Sequence, residues 1–185
     1  MPMYSKLPQL YRGFTLLEIL VAIAILALLI GLAVPNLRST IQNNRVTATT
    51  NEFTSSFQFA RSEALKRGVP VSVCAADTAD GELDPECGDD WSAGWIAFVD
   101  TALVGATEPV VGELLRAWRP RLRGMTITEG GDVEFARYLP AGRLDDVANP
   151  PLQFALLAEG CTGEQRRNVT IERSGSVRVQ RVQCD

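Results

Sequence analysis

The sequence predicts an α+β fold, with one long amino-terminal helix packed on an antiparallel β-sheet domain. Three observations lead to this prediction. Residues 14–34 are almost entirely apolar. Apolar residues then recur at helical spacing as far as residue 67. From Val69 onward the pattern changes to a period of two, and turns rich in Gly, Pro and Asp separate short apolar runs.

The apolar run that opens the helix contains Glu18 as its one charged side chain. About 20 apolar residues at a helical rise of roughly 1.5 Å span the hydrocarbon core of a bilayer. Residues 1–13 carry Lys6 and Arg12 and no acid, which favours a cytoplasmic amino terminus and export of the remainder. Because a charge within hydrocarbon costs a few kcal/mol or more, Glu18 is a candidate functional residue.

Gly13 stands immediately before the apolar run. An ordinary secretory signal carries its small-residue cleavage site after a short apolar region instead. Cleavage after Gly13 would therefore leave the apolar helix on the mature protein. It would also free an α-amino group on Phe14, four residues before Glu18.

This segment resembles the class III signal of type IV pilins and pseudopilins. The matching features are Gly13, Phe14, Thr15, Leu16, Glu18, the apolar helix and then Pro35. The resemblance implies cleavage after Gly13 by a prepilin peptidase and N-methylation of Phe14. It also implies that Glu18 pairs with the amino terminus of a neighbouring subunit during filament assembly. An ammonium group is a suitable partner for a carboxylate in the low-dielectric core of a filament.

Pro35 ends the apolar run and is expected to kink the helix, because proline removes one backbone hydrogen bond. The helical pattern resumes over residues 36–67. Its first half is polar nearly all round and is expected to form a stalk. Its second half has an apolar stripe that is expected to pack on the sheet, formed by Phe53, Phe57, Ala60 and Ala64. Gly68 followed by Pro70 ends the helix.

The β domain is predicted to cover residues 68–185. Its candidate strands are residues 69–74, 95–99, 114–118, 125–128, 133–138, 153–157, 169–173 and 177–182. The helix end around Arg61, the strand that ends at Cys74, the segment from Trp91 to Asp100 and the carboxyl-terminal pattern resemble GspH/FimT-type minor pilins. The resemblance implies the type IV pilin fold. Its expected parts are a leader (1–13), a transmembrane and assembly helix (14–35), a helical arm (36–67) and a periplasmic head (68–185).

The amino-acid composition limits the kinds of catalytic, metal and disulfide chemistry that the head can have. The chain contains no histidine, which excludes Ser-His or Cys-His catalysis and His-ligated metals. It offers no other nucleophile–base pair, so we expect neither an enzyme nor a cofactor. Four cysteines in an exported domain indicate two disulfides, for which the sequence permits three pairings. The pairs Cys74–Cys87 and Cys161–Cys184 have the lowest loop-closure cost and are expected.

Three groups of residues in the head are candidate binding sites. The acidic segment 77–90 does not match a calcium-binding loop and is expected to be a solvated surface loop. Aromatic residues at strand spacing more often pack in the core than form a platform for a ligand. We therefore expect core positions for four aromatic residues, Trp91, Trp95, Phe98 and Trp118. No metal site is expected.

The third group is a set of arginines near the carboxyl terminus. Arginines at alternate positions of a strand lie on one face, where they can contact phosphates. The members of this group are Arg166, Arg167, Arg173, Arg178 and Arg181. Some members of the resembled subfamily bind DNA through a Gly-Arg-x-Arg motif. The matching positions begin at Gly175, but Ser176 replaces the first arginine. Arg178 and Arg181 are the remaining candidates for DNA contact.

The resemblance therefore implies a minor pilin of a type IV pilus, which would join other minor pilins in a complex that initiates or primes assembly or tips the filament. Expected partners are other minor pilins, the major pilin, the prepilin peptidase and the bacterial inner membrane, with the head in the periplasm before assembly. Two alternatives remain open. One is a pseudopilin of type II secretion, and the other is a DNA-binding pilin for DNA uptake.

Overall fold

The computed structural model describes residues 13–79, 82–103, 105–120, 124–131 and 133–184, without the side chains of residues 32–38 and 148. The chain divides into two compact units, Met1–Ser39 and Thr40–Asp185. One helix, α1, extends over Leu16–Arg67. The predicted kink at Pro35 falls on residues whose side chains lie outside those described, and it stays a prediction.

In the first unit, the large apolar side chains from Phe14 to Ile30 are each half exposed or more. Among the described residues, no helical stretch is both long and apolar enough to cross a membrane. The run predicted to span the membrane includes residues 32–34, whose side chains are outside the described set.

The second unit contains nine strands in the part of the chain that is described. They are β1 Val71–Ala79, β2 Glu82–Cys87, β3 Trp95–Asp100, β4 Val111–Trp118, β5 Met125–Glu129, β6 Phe135–Tyr138, β7 Leu152–Ala158, β8 Arg166–Ile171 and β9 Val177–Val182. The first sheet has the order β2-β1-β3-β4, and β6 also pairs with β1. The second sheet has the order β5-β7-β8-β9. Every pairing is antiparallel, as the period-two pattern and short turns predicted.

The main core lies between α1 and both sheets. The predicted apolar stripe on α1 is fully buried there, from Phe53 to Ala64. The Phe53 ring has four aromatic neighbours at centroid distances of 4.9–5.7 Å, namely Phe57, Trp91, Trp95 and Phe154. Edge-to-face packing of this kind adds about 0.5–1.5 kcal/mol per pair to the burial of apolar area. The aromatic residues therefore form core, as the sequence predicted.

A second, smaller core covers the opposite face of the first sheet. Successive strand residues point to opposite faces, so Val71 and Val73 face α1 while Cys74 and Ala76 face away. The outward cluster also contains Ile96, Phe98 and Phe135. Because this face is buried as well, β3 is a nearly continuous apolar strand.

The segment 77–90 differs from the expected surface loop. β1 continues to Ala79, and Glu82–Cys87 forms β2, which pairs with it. The prediction failed because Pro85 and the acidic side chains disfavour a strand by propensity. The disulfide between Cys74 and Cys87 and the contact of Leu83 with the second core hold β2 in place.

Candidate assembly site and head surface

Helix α1 begins with a polar cap. Thr15 directly precedes Leu16, the first residue of α1, and its Oγ1 accepts a hydrogen bond from the Glu18 backbone N–H at 3.2 Å. The Thr15 carbonyl accepts from the backbone N–H groups of Glu18 and Ile19. The spacing Thr-x-x-Glu is that of a capping box, a helix-start signal that is visible in the sequence itself. The cap places Glu18 in the first turn of α1, where an acid is favourable next to the positive end of the helix dipole.

Glu18 lies beside apolar side chains on one side of this first segment. A surface cleft of about 280 Å³ is formed by Phe14, Glu18, Ile19, Ala22, Ile23 and Leu26. Phe14 is 78% exposed. The cleft combines one carboxylate with an otherwise apolar lining, so a cationic group carried on an apolar segment fits its chemistry.

Gly13 and Phe14 are exposed and lie just before α1. A Cβ atom added at Gly13 would meet nothing within 4 Å. The rest of the predicted leader, residues 1–12, lies outside the described residues. The cleavage site at Gly13 and the methylation of Phe14 stay predictions.

Two disulfides cross-link segments of the head. Cys74 and Cys87 are joined with a Cα–Cα distance of 5.6 Å, and Cys161 and Cys184 with one of 5.8 Å. The first anchors β2 to β1, and the second links the carboxyl-terminal end of the chain to the turn that precedes β8. Both close the short loops that the loop-closure argument favoured.

Arg167 does not lie on an exposed arginine face. Its side chain is buried, and its Nη2 donates to Asn43 Oδ1 at 2.6 Å and to Thr47 Oγ1 at 3.4 Å on α1. Its Nη1 donates to the carbonyls of Glu164 and Arg166. Arg167 therefore fastens β8 to α1. Its hydrogen-bond donors are used inside the protein and do not reach a surface that phosphates could contact.

Arg178 and Arg181 lie on opposite faces of the second sheet. Arg181 pairs with Arg167, which faces α1, whereas Arg178 pairs with Thr170 on the outer face. The two residues are exposed. They do not form one row, and a contact of either with DNA stays a prediction.

The outer face of the first sheet contains a buried ionic network that the sequence did not predict. Arg137 on β6 donates from Nε to Asp100 Oδ2 and from Nη1 to Asp145 Oδ2. Its guanidinium also donates to the carbonyls of Ala106 and Glu108. Arg137 thereby fastens the loop between β3 and β4 over the sheet.

Asp100 completes the network as an acceptor. Ser72 Oγ donates to its Oδ2 at 2.6 Å, and the backbone N–H groups of Ala102 and Val110 donate to its Oδ1. Burial raises the pKa of Asp100, but the hydrogen bonds from Ser72, Val110, Arg137 and Ala102 together outweigh it and hold the pKa below its usual range. The carboxyl is thus ionised and fully engaged, which is typical of a structural role.

Within the described residues, no group of three or more His, Cys, Asp or Glu side chains is arranged to hold a metal ion. In the acidic segment 77–90, this finding applies to residues 77–79 and 82–90. Its described acids lie in β1, in β2 and in the turn that follows β2.

Comparison with known proteins identifies two sequence families in the chain. Residues 49–175, more than half of the chain, match the family described as type II transport protein GspH. Residues 9–34 match the prokaryotic N-terminal methylation motif. No curated protein sequence matches.

Two solved crystal forms of one protein show the same fold. A crystal structure of the type IV minor pilin FimU of Pseudomonas aeruginosa has a TM-score of 0.55 at 22% identity, covering 74% of this chain and 89% of that one. A second crystal form of FimU gives a TM-score of 0.52 at 22% identity, with coverage of 72% and 91%. The minor pseudopilin EpsH of Vibrio cholerae aligns at 12% identity with a TM-score of 0.48, covering 74% and 97%. The amino-terminal methylation motif and the two-sheet head thus occur together in a chain that belongs to the type II transport protein GspH family.

Proposed function

We propose that this chain is a minor pilin of a type IV pilus that takes part in the initiation or priming of pilus assembly and lies at the pilus tip. The observation that carries the proposal is the position of Glu18, a lone carboxylate in an exposed apolar cleft at the start of α1. A filament core that buried this cleft would leave Glu18 without water, so it would need a cationic partner.

The proposed route begins in the bacterial inner membrane. The chain is made as a prepilin, is anchored by the apolar segment and holds its head in the periplasm. A prepilin peptidase cuts after Gly13, and the new amino terminus on Phe14 is methylated. The exposure of Gly13 and Phe14 supports access of the processing enzyme to this bond.

In the assembled state, the carboxylate of Glu18 accepts hydrogen bonds from the amino terminus of a neighbouring major or minor pilin. The surrounding apolar side chains exclude water and strengthen this ion pair. The chain acts as a structural subunit, and it contributes binding surfaces and no catalysis.

The test is the amount of major pilin in the sheared surface fraction of a strain that lacks this chain. Complementation compares the wild type with Glu18→Gln and with Glu52→Gln, a control on the same helix. We expect Glu18→Gln to reduce surface pili at least about tenfold, because one member of a buried ion pair left alone costs about 3–5 kcal/mol. Mass spectrometry of the amino terminus checks that processing after Gly13 is intact. Wild-type surface piliation with Glu18→Gln would refute the pairing.

A pseudopilin of type II secretion is the second candidate. The description of the matched family, type II transport protein GspH, favours it. The same strains separate the two functions when secreted proteins are measured beside surface pili. Loss of secretion with normal pili would replace the pilus proposal by the secretion one.

A DNA-uptake pilin is less well supported. The engagement of Arg167 with α1 and the opposite orientation of Arg178 and Arg181 leave no continuous arginine row in the described part of the head. Salt-dependent binding of duplex DNA that is lost with Arg178→Ala would favour this function.

A further inference from the structure

The edges of the two sheets differ in how they are protected. In the described residues, β2 contains Pro85, and the pairing of β4 with β3 has two register shifts. Ser92 covers the free edge of β5, because its hydroxyl bonds the N–H and carbonyl of Ile127. β6 is followed by a turn whose Leu144 bridges back to Tyr138. Prolines, bulges and covering segments are the devices that keep sheet edges from pairing.

β9 has no proline and no bulge, and no described segment covers it, so the charges of Arg178 and Arg181 are its one protective feature. Its six residues pair one-to-one with β8 without a register shift, and the strand contains no proline. In the described part of the chain, no backbone group pairs with its outer edge. Val179 is 45% exposed although it lies on the side of the sheet that faces α1. β9 is therefore an open, regular edge.

A hydrogen bond in the turn before β9 shows which backbone groups of β9 point away from β8. The Glu172 N–H donates to the Ser176 carbonyl, and the register from Ser176 onward is continuous. In an antiparallel pair, successive residues alternate between pointing toward the partner strand and away from it. Arg178 and Gln180 thus bond β8, and Val177, Val179 and Arg181 direct their N–H and carbonyl groups outward.

We propose that β9 is a docking edge, to which another pilin subunit adds an acidic extended segment as an extra antiparallel strand. Main-chain hydrogen bonds to the outward groups of β9 would supply affinity, and side chains on alternate faces would supply specificity. The identification of the partner as a pilin rests on the proposed assembly function. The open edge of β9 and the charges of its arginines do not depend on that function.

The positions of the two arginines define the partner's sequence. Arg178 and Arg181 are three residues apart and project from opposite faces. Neither arginine forms an ion pair with another residue in the part of the chain that is described. An incoming strand matches both when it carries two acids three residues apart, one on each face, because opposite charges on directly facing residues stabilise a strand pair.

A second copy of this chain does not fit as well. Its own acidic edge strand, β2, carries Glu82, Asp84 and Glu86 at alternate positions and so on one face, and Pro85 lacks an N–H. Two β9 edges would bring like charges together. Both comparisons favour a segment from a different subunit.

The test measures binding of labelled peptides of about seven residues to the purified full chain in detergent by fluorescence anisotropy. The probe has the sequence Val-Glu-Thr-Val-Glu-Val-Thr. The matched control, Val-Glu-Thr-Glu-Val-Val-Thr, has the same composition with both acids on one face. A fluorescent duplex DNA is measured in parallel.

We expect the probe to bind more tightly than the control peptide and the DNA. Val179→Pro, which removes an outward N–H without breaking the bonds to β8, should abolish binding, while Val179→Thr keeps the N–H and should preserve it. Replacing both Arg178 and Arg181 by Ala should weaken binding about tenfold. Because Val179→Pro can disturb the strand, a probe N-methylated at alternate backbone positions tests the same bonds from the other side.

Equal binding of the two peptides, retention of binding by Val179→Pro or by the N-methylated probe, or preference for DNA would each overturn the docking edge. Loss of surface pili in the deletion strain without probe binding would refute this inference and leave the assembly function standing. Probe binding together with normal pili would refute the assembly function and leave the edge.

Discussion

Arg137 Nε lies 2.7 Å from Asp100 Oδ2, and both side chains are almost completely buried on the outer face of the first sheet. The two residues come from different strands of one sheet and together fix the loop that joins β3 to β4. A buried ion pair becomes costly when one member is removed, because the other charge is left without compensation.

We therefore predict that Asp100→Ala destabilises the protein by about 3–5 kcal/mol. Asp146→Ala is the control, because Asp146 pairs with Arg143 and Arg173 at the surface, and it should cost about 0–1 kcal/mol. Urea unfolding followed by tryptophan fluorescence measures both, since the tryptophans of the chain are buried in the head. Equal effects of the two substitutions would show that the network contributes no more than a surface pair.

The depressed pKa of Asp100 predicts a pH dependence of stability. A carboxyl whose pKa is lower in the folded state stabilises that state above its unfolded pKa, which is about 3.9, and this contribution is lost as the pH falls through the folded value. The free energy of unfolding should fall more steeply below about pH 4 in the wild type than in Asp100→Asn. Parallel pH profiles for the two proteins would contradict the assignment to Asp100.

The sequence predicted the fold where periodicity and residue type agreed. The stripe from Phe53 to Ala64 has helical spacing, and Val71 to Cys74 alternates, so both surfaces could be assigned before any contact was known. The capping residue Thr15 was also predictable from its spacing to Glu18.

The buried arginines could not be found in this way. An arginine in an alternating strand is normally solvated, and only tertiary contacts reveal otherwise. Arg137 meets Asp100, 37 residues away, and Arg167 meets Asn43, 124 residues away. The predicted arginine face failed for the same physical reason, since the helix supplies acceptors for Arg167 that no local pattern shows.

The contact of Arg167 with Asn43 gives a third prediction. A hydrogen bond to a charged group is worth about 1.5–3 kcal/mol, so a double-mutant cycle of Arg167→Ala and Asn43→Ala should give a coupling energy of that size. The same cycle with Arg178→Ala and Asn43→Ala should give a coupling near zero, because Arg178 lies on the opposite face of the sheet. Additive effects for the first pair would show that Arg167 does not hold β8 to α1 through Asn43.

Tyr138 gives the last prediction. Its side chain is fully buried, and its hydroxyl has no hydrogen-bond partner among the described residues. Burial raises the pKa of Tyr138 well above its usual value, so the hydroxyl is neutral at physiological pH. An unpaired buried hydroxyl costs about 1–3 kcal/mol of desolvation, and Tyr138→Phe removes it while the ring keeps its packing.

Tyr138→Phe should therefore raise stability by about 1 kcal/mol, which corresponds to a Tm increase of about 2–4 °C in differential scanning calorimetry. Tyr138→Leu is the control, because it also removes the hydroxyl but leaves a cavity, and it should lower the Tm. A lower Tm for Tyr138→Phe than for the wild type would mean that the hydroxyl donates to a buried water or to a group of the chain outside the described residues. Tyr138 would then take part in positioning the turn between β8 and β9, because a Cβ atom added at Gly175 in that turn would lie 2.9 Å from the Tyr138 ring.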